Sequence, residues 1–219
     1  MSLRLAIVFL FLFVSPVFSQ VGIESNFWEW SEKADHHKSV VKIIHKIPPV
    51  THQGTGVVIG EHQVLTAAHV VDEPGGLIYV EVNGKPILGI VSANDAILDI
   101  CLITTTEKID LPAVKIAPQA PSESDSVEIC GFGGGGDLRH FKGVAKIYSG
   151  HTLGVDAYVI PGDSGGPVLN SNHELIGIVS GGMSWSIQKK VTADGLDIAP
   201  TWPIRCGSLD GIKKLTGGK

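Results

Sequence analysis

Short runs of β-branched and aliphatic residues recur along the chain, and glycine, proline, asparagine and aspartate separate them. Branched side chains pack well on a pleated surface and the intervening residues favour turns, so such runs predict strands. Regular alternation with helical stretches is missing from the pattern, which therefore predicts an all-β sandwich or barrels. The predicted strands are Ser39–His45, Thr55–Ile59, Gln63–Thr66, Leu77–Val82, Ile87–Ser92, Asp99–Thr104, Ser126–Cys130, Gly143–Ser149, Leu153–Ala157, Pro167–Leu169 and Glu174–Ser180.

A stretch with three prolines, Asp110–Ser126, divides the predicted strands into two sets of comparable length. Proline lacks an amide donor and fixes φ, so this stretch is the best candidate for a linker between two lobes. We expect lobes over about 39–110 and 126–200, a linker over about 111–125 and a C-terminal tail over 201–219. Two candidates for short peripheral helices lie outside the lobes: Glu24–Lys38, with aromatic residues among charges, and Ser208–Leu215, with apolar residues at helical spacing.

The first 19 residues have the pattern of a secretory signal peptide. Arg4 precedes the apolar run Leu5–Val14, and Pro16 and the small residue Ser19 follow it. The apolar run is shorter than the roughly 20 residues of a typical membrane span, although an uncleaved anchor is the alternative. We therefore expect export, to the periplasm or the outside of the cell, with 20–38 as an N-terminal segment and no stable membrane insertion after cleavage.

Composition limits the possible partners and stabilising groups. The net charge of -5, with both signs mixed, offers no basic surface for nucleic acid. Three cysteines, Cys101, Cys130 and Cys206, allow one internal pair at most, and their spacing fits no zinc pattern. The odd thiol is then either buried or paired with another molecule. A packed core must be the main stabiliser, and no metal or organic cofactor is expected.

The loop Ile160–Val168, with the sequence IPGDSGGPV, places Ser164 among three glycines and two prolines. Glycine is favoured where φ is positive or a ligand approaches the backbone, so this is a shaped loop. A serine hydroxyl becomes a good nucleophile only when a base removes its proton, and that base is usually a histidine oriented by a carboxylate. The sequence should therefore contain a positioned histidine and a positioned aspartate.

Among nine histidines, His69 has the setting of such a base. It follows Val64–Ala68, a predicted strand that ends in small residues, so its ring can stand clear of its neighbours. The other eight are interpreted as ordinary packed or surface residues: His36, His37, His45, His52, His62, His140, His151 and His173. For the carboxylate, Asp99 directly precedes a buried-looking run and would need partners there. Asp95, in a turn-like setting, is interpreted as a solvated turn residue.

Two other motifs match parts of the sequence, but their further requirements are not met. Gly162–Gly166 also fits the G-x-S-x-G pattern of α/β-hydrolases, but that fold needs a helix after the serine and a histidine later in the chain. Here Pro167 starts a predicted strand, and the only later histidine, His173, lies in a predicted hairpin turn. The run Gly133–Gly136 lacks the lysine and hydroxyl pair of a phosphate-binding loop.

His69, Asp99 and Ser164, with their flanking residues, resemble the three catalytic segments of chymotrypsin-like serine proteases, in that family's order. The resemblance extends over about Val40–Ser180. Three further segments are similar to the bacterial HtrA-type branch, although no PDZ domain is expected: Gly54–Ile59, Leu111–Pro112 with Val127–Gly133, and Asp156–Ala157 ahead of Pro161–Gly162.

The resemblance implies two packed six-stranded antiparallel β-barrels, with the triad in the cleft between them. Ser164 would attack a peptide carbonyl, His69 would move the proton, and Asp99 would orient His69. The amides of Gly162 and Ser164 would form the oxyanion hole. By family position, Tyr158 would lie at the base of the specificity pocket. Ser180, Gly181 and Gly182 would be the edge that pairs with the substrate backbone.

The expected function is an exported serine endopeptidase that cleaves after small or medium apolar residues, since no acidic residue occupies the Tyr158 position. The alternative is an inactive, protease-like module that binds a polypeptide without cutting it. Digestive relatives pair the aspartate before the nucleophile with a new amino terminus, but no Ile-Val-Gly-Gly-like start is present here. Asp163 must therefore find another partner, or its loop is inactive at rest.

Overall fold

A computed structural model describes residues 34–148, 152–157, 159–182, 189–192, 195–198 and 203–218. The predicted signal peptide and residues 20–33 lie outside these ranges, as does Tyr158. Within the described ranges, no helix is long and apolar enough to cross a membrane.

The first barrel is closed and antiparallel, with the strand order β1-β2-β3-β6-β5-β4. Its strands are β1 (Val40–Ile47), β2 (Val50–Gly60), β3 (Gln63–Thr66), β4 (Leu77–Val82), β5 (Lys85–Asp95) and β6 (Ile100–Thr105). Branched side chains such as Ile43, Val57 and Leu65 fill its interior and are fully buried. Ile100 to Ile103 of β6 are buried without alternation, because one face of the strand lines the barrel and the other is covered.

The second half of the chain contains β7 (Ser126–Gly131), β8 (Arg139–Tyr148), β9 (Thr152–Asp156), β10 (Pro167–Leu169), β11 (Leu175–Gly182), β12 (Lys189–Thr192), β13 (Gly195–Ile198) and β14 (Pro203–Ser208). Six of these form a second closed barrel, β10-β11-β14-β9-β8-β7, and β12 and β13 form a separate hairpin. Ile129, Val155, Val168 and Ile204 belong to its core. The predicted chymotrypsin-like class of two six-stranded antiparallel barrels is confirmed.

The C-terminal residues belong to the barrels. We expected the second lobe to end near residue 200, but β14 inserts between β9 and β11 and completes the second barrel. Helix α1 (Leu209–Thr216) follows at once, with Ser208 as its N-cap and Gly217 in the left-handed conformation at its end. This helix confirms the one predicted over Ser208–Leu215. A Cβ at Gly211 would meet Ile100 of β6, so α1 lies close against the first barrel.

The N-terminal prediction is only partly within the described residues. Of the helix predicted over Glu24–Lys38, the structure describes residues from Ala34 onward, and Asp35–Ser39 is a 3-10 turn rather than an α-helix. His37 and Ser39 of this turn are buried.

Candidate active site

The first barrel positions His69 and Asp99 at the same end. His69 lies in a single 3-10 turn, Ala68–Val70, just after β3, and Asp99 immediately precedes β6. Strands β3 and β6 are antiparallel neighbours in which Thr66 pairs with Cys101. The end of β3 and the start of β6 therefore meet, which brings the two residues together.

Asp99 holds His69 with both carboxylate oxygens. Oδ1 accepts the backbone N–H of His69 at 2.9 Å, and Oδ2 lies 2.8 Å from Nδ1 of the ring. Asp99 has φ of +55°, a left-handed conformation that aspartate tolerates better than most residues. The hydroxyl of Ser180 donates a hydrogen bond to the same Oδ2. Three donors thus fix the carboxylate, and the carboxylate fixes the ring.

These contacts change the proton affinities of both groups. The hydrogen bond to Asp99 raises the pKa of His69 above its ordinary value of 6.5, although partial burial opposes this shift. For Asp99, burial is the largest influence and favours the neutral acid. Hydrogen bonds from His69 and Ser180 outweigh it and hold the pKa of Asp99 below its ordinary value. The pair is therefore an ionised carboxylate beside a histidine of increased basicity.

Ser164 lies in the loop between β9 and β10 and is tied to the first barrel. Its carbonyl oxygen accepts the N–H of Thr55 at 2.8 Å, and the hydroxyl of Thr55 donates to the carbonyl of Gly162 at 2.7 Å. The Ser164 hydroxyl donates to the carbonyl oxygen of Ser180 at 3.3 Å. Between described residues, no hydrogen bond joins Ser164 and His69. Ser180 instead connects Ser164 to Asp99, since its carbonyl accepts from the Ser164 hydroxyl and its own hydroxyl donates to Asp99.

The glycines around Ser164 are required by close contacts and by φ. Gly162 has φ of +104°, and a Cβ there would lie 2.7 Å from the carbonyl oxygen of Phe132. Gly165 has φ of +86°, and its Cβ would lie 2.1 Å from the carbonyl oxygen of Thr55. The amide N–H groups of Gly162 and Ser164 donate no hydrogen bond to any described residue. Both amides are thus available to an oxygen from outside.

Asp163 is fully buried and has three donors. Its Oδ1 accepts the N–H of Gly133 at 2.7 Å, and Oδ2 accepts the N–H of Ile160 at 3.0 Å. The guanidinium of Arg139, on β8, lies 2.9 Å from Oδ2. Burial raises the pKa of Asp163, while the amides and Arg139 oppose that change. The aspartate before Ser164 therefore has an internal cation as its partner.

Three other predicted site residues lie at the end of β11. The ladder between β10 and β11 ends at Ile178, while Gly181 and Gly182 pair with β14. The other edge of these two residues has no described strand beside it. Open space surrounds the position of a Cβ at Gly181. Tyr158, the fourth residue predicted to bind substrate, lies outside the described residues.

The structure refines the interpretation of Asp95. It is a turn residue, as expected, but its side chain is only 15% exposed. Its carboxylate accepts the N–H groups of Ile97 and Leu98 and lies 3.2 Å from the Lys214 ammonium. The hydrogen bond from the amide of Leu98 is the main cause that lowers the pKa of Asp95. Asp95 fixes the turn that leads to Asp99.

Sequence reasoning missed Thr55 and Arg139. Thr55 is fully buried, and besides contacting Gly162 its hydroxyl accepts the N–H of Phe132 at 2.9 Å. Arg139 pairs in register with Gly131 across β7 and β8. Its neighbours in the sequence give no signal of an ion pair with Asp163, because the pairing depends on the barrel register.

A group of possible metal ligands lies elsewhere. Within the described ranges, His36, His37 and Glu128 form one cluster whose donor atoms all lie within 4.8 Å of each other. The N–H of Ala34 donates to Nδ1 of His37 at 3.0 Å, so the ring proton of a neutral His37 is on Nε2. That nitrogen donates to Glu128 and has no lone pair for a metal. The cluster is therefore a hydrogen-bonded network.

Comparisons with known proteins agree with this arrangement. The chain matches the family model described as a trypsin-like peptidase domain over residues 54–178, more than half of its length. It is similar to the Rv3671c protease from M. tuberculosis in its active form, with 25% identity, a TM-score of 0.65 and coverage of 84% of this chain and 83% of that chain. The inactive form of that protease gives 25% identity and a TM-score of 0.62, with 82% and 90% covered.

A serine endoprotease from Yersinia pestis has the same fold, with 19% identity, a TM-score of 0.69 and coverage of 85% of this chain and 66% of that one. The predicted resemblance to chymotrypsin-like proteases is confirmed. The family match covers the segments of His69, Asp99 and Ser164, and the fold is that of two closed barrels. The chain belongs to the trypsin-like peptidase family and is a serine endopeptidase that acts on polypeptides.

Proposed function

We propose that Ser164, His69 and Asp99 form the catalytic triad and cleave peptide bonds through an acyl-enzyme intermediate. The observation that supports this most strongly is the double hydrogen bond between Asp99 and His69, which leaves Nε2 of the ring as the remaining proton acceptor. The Ser164 loop is attached to the same barrel through Thr55. A nucleophile, a base and an orienting carboxylate are thus held on one scaffold.

The first chemical step transfers the Ser164 proton to His69. The hydroxyl, which donates to Ser180 at rest, must turn toward Nε2 of His69 when substrate arrives. Such hydrogen bonds are often absent before substrate binds. Ser164 Oγ attacks the carbonyl carbon, the imidazolium gives its proton to the leaving amine, and water then hydrolyses the ester by the reverse route. Asp99 stabilises the imidazolium in both steps.

The amides of Gly162 and Ser164 supply the oxyanion hole. Both are without a described acceptor, and Gly162 has a positive φ that a residue with a side chain would disfavour. The buried ion pair with Arg139 fixes Asp163, which lies between Gly162 and Ser164 in the chain. We therefore propose that the loop is active without cleavage of the chain, since Arg139 supplies the cation that a processed amino terminus supplies in digestive enzymes.

Substrate backbone would pair with Ser180–Gly182, whose outer edge has no described partner strand. We propose cleavage after small or medium apolar residues, because no acidic residue occupies the expected pocket position at Tyr158. Profiling with a peptide library tests this specificity. Strong cleavage after arginine or lysine would contradict it.

Export rests on the sequence of residues 1–19. We propose that they are removed during secretion, so that the mature chain begins at or near Gln20. Expression of the full chain, followed by N-terminal sequencing of the protein outside the cytoplasm, tests this. An intact Met1 on a membrane-bound product would support an uncleaved anchor instead.

A fluorophosphonate probe tests the triad. It should label the wild-type protein at Ser164 and should not label Ser164→Ala or His69→Ala, while both variants stay folded. Ser122→Ala, in an exposed turn, is a matched control that should be labelled normally. Absence of label on folded wild-type protein would favour the inactive peptide-binding module.

A further inference from the structure

Four histidines and one carboxylate are grouped on the face of the second barrel that contacts the N-terminal turn. We call this group, which consists of His36, His37, His140, His173 and Glu128, the histidine cluster. Nε2 of His36 lies 2.7 Å from Oε2 of Glu128, and Nε2 of His37 lies 2.8 Å from Oε1. Nδ1 of His173 lies 3.8 Å from Oε2. Glu128, on β7, is only 8% exposed.

The rings also stack on one another. His36 and His173 are stacked with centroids 3.9 Å apart, and His37 and His140 are stacked at 4.2 Å. His36 and His37 meet edge to face at 4.2 Å. Neutral imidazoles pack well at such separations, but two imidazolium ions would repel each other strongly. One carboxylate can compensate only one such charge.

The geometry does not suit a bound metal. A metal ion lies close to the plane of each imidazole that ligates it, at about 2.0 Å from the nitrogen. The rings of His36 and His173 are nearly parallel, with 17° between their planes, so one ion cannot lie in both planes. His37 has its lone pair occupied by the N–H of Ala34. The cluster is therefore better suited to binding protons than to binding a metal ion.

Other charged groups of both signs lie around the cluster, and carboxylates do not outnumber cations among them. Lys142 of β8 pairs in register with Glu128 of β7 and adds positive charge. Asp35 and Lys38, on the same turn as His36, are paired with each other at 2.8 Å. Glu174 accepts a hydrogen bond from the neutral Asn170 amide and keeps its negative charge, and Lys115 lines the same cavity beside His36 and His173 with the opposite charge. Arg139, next to His140, is engaged by Asp163.

The cluster connects the N-terminal turn with two strands of the second barrel. His36 and His37 belong to the turn that leads directly into β1 of the first barrel, while Glu128 and His140 belong to β7 and β8 of the second. His140 is adjacent to Arg139, which holds Asp163 beside the oxyanion loop. The turn at residues 35–39 therefore contacts β7 and β8, and β8 carries the arginine that holds the oxyanion loop.

We propose that the histidine cluster is a proton-operated latch, in which residues 34–39 stay docked on β7 and β8 at neutral pH and are released when the imidazoles become charged in an acidic compartment.

The direction of the effect follows from His37. Burial, the largest influence, lowers the pKa of His37 below its ordinary value of 6.5, and His36 and His140 lower it further, while Glu128 opposes them. The undocked turn binds a proton more readily than the docked turn. Docking is thus fully favoured above about pH 6.5 and weakens as the pH falls below that value.

Hydrogen–deuterium exchange on Ser164→Ala protein, which avoids self-digestion, tests the latch. After correction for the intrinsic pH dependence of exchange, residues 34–40 should exchange at least about tenfold faster near pH 5 than near pH 7.5. Strands β10 and β11 should stay protected at both pH values. Glu128→Gln should exchange rapidly in residues 34–40 already near pH 7.5.

His173→Asn is the second variant, because the residue has φ of +59°, which asparagine tolerates, and its side chain is half exposed. Asparagine cannot become charged, so this variant removes one of the positive charges that would repel His36 at low pH. The release of residues 34–40 should therefore move to lower pH. His62→Asn, outside the cluster, should release them at the wild-type pH. Release that does not depend on pH, release only together with β10 and β11, or equal behaviour of the two asparagine variants would overturn the latch. Protection that zinc increases and a chelator removes would also overturn it, in favour of a metal site.

Discussion

The Nη1 atom of Arg139 lies 2.9 Å from Oδ2 of Asp163, one residue before the proposed nucleophile. The carboxylate is fully buried, and the arginine side chain is 20% exposed. Breaking a buried ion pair by removing one partner leaves an uncompensated charge, which typically costs about 3–5 kcal/mol. The proposed oxyanion loop therefore depends on an ion pair formed within the chain.

Arg139→Met should lower both stability and activity. We expect the free energy of unfolding to fall by about 3 kcal/mol and kcat to fall more than KM rises, because Asp163 would no longer fix Gly162 and Ser164. Denaturant unfolding in Ser164→Ala protein and steady-state kinetics with a peptide substrate measure the two effects.

Arg205→Met is the matched control, since Arg205 is exposed and donates to the carbonyl of Ile97. It should change stability by much less. If Arg139→Met kept full activity, Asp163 would not need a cation to hold the loop.

Asp99→Asn should change the pH profile as well as the rate. Activity needs neutral His69, so the rate should fall as pH drops through the raised pKa of His69. Asparagine removes the main cause of that shift, so the acid limb should move to lower pH. Loss of the correct tautomer should reduce kcat by about 10⁴-fold. The profile of kcat/KM against pH measures both, and an unmoved acid limb would show that another group controls it.

Gly162→Ala should impair catalysis through the backbone. The residue has φ of +104°, and the new methyl group would lie 2.7 Å from the carbonyl of Phe132. Loss of one oxyanion donor typically costs about 10²–10³-fold in kcat. Gly136→Ala is the control, because no atom lies within 4 Å of the added Cβ and φ there is not positive. Equal loss in the two variants would contradict a role for the Gly162 amide.

The three cysteines should be unreactive in the folded protein. All three are free and buried, and burial raises the pKa of Cys101 and Cys206 to about 12 and that of Cys130 well above its ordinary value. Since the thiolate is the reactive form, Ellman's reagent near pH 8 should react only after a denaturant is added, with all three thiols. Fast reaction of native protein would show that a thiol is accessible.

Much of the fold could be predicted from the sequence, because strand patterning is a local property. Gln63–Thr66, Leu77–Val82 and Pro167–Leu169 have the predicted boundaries in the structure. Strand β14 was missed, since it begins with proline and, among its residues whose burial is described, the buried hydrophobic ones are Ile204 and Cys206. Its formation depends on pairing with β9 and β11, which are distant in sequence.

In the candidate site, too, features with a local sequence pattern could be predicted and features that depend on long-range pairing could not. His69, Asp99 and Ser164 could be selected from short segments with family-like neighbours, and the structure brings His69 and Asp99 into contact. The partner of Asp163 could not be predicted, because Arg139 approaches it only through the register of β7 and β8. The histidine cluster was also missed, because its five residues come from four separate segments of the chain. Long-range pairing of this kind leaves no local pattern.

Strand β14 has a consequence for biosynthesis. A nascent chain that has been synthesised only to residue 200 already contains Ser164, His69 and Asp99, yet its second barrel has five strands and an open seam between β9 and β11. The strand that holds Ser180 then lacks the neighbour that orders it. A ribosome-bound fragment that ends at residue 200 should therefore be inactive, and proteolysis should begin only after residues 203–208 have emerged and paired with β9 and β11.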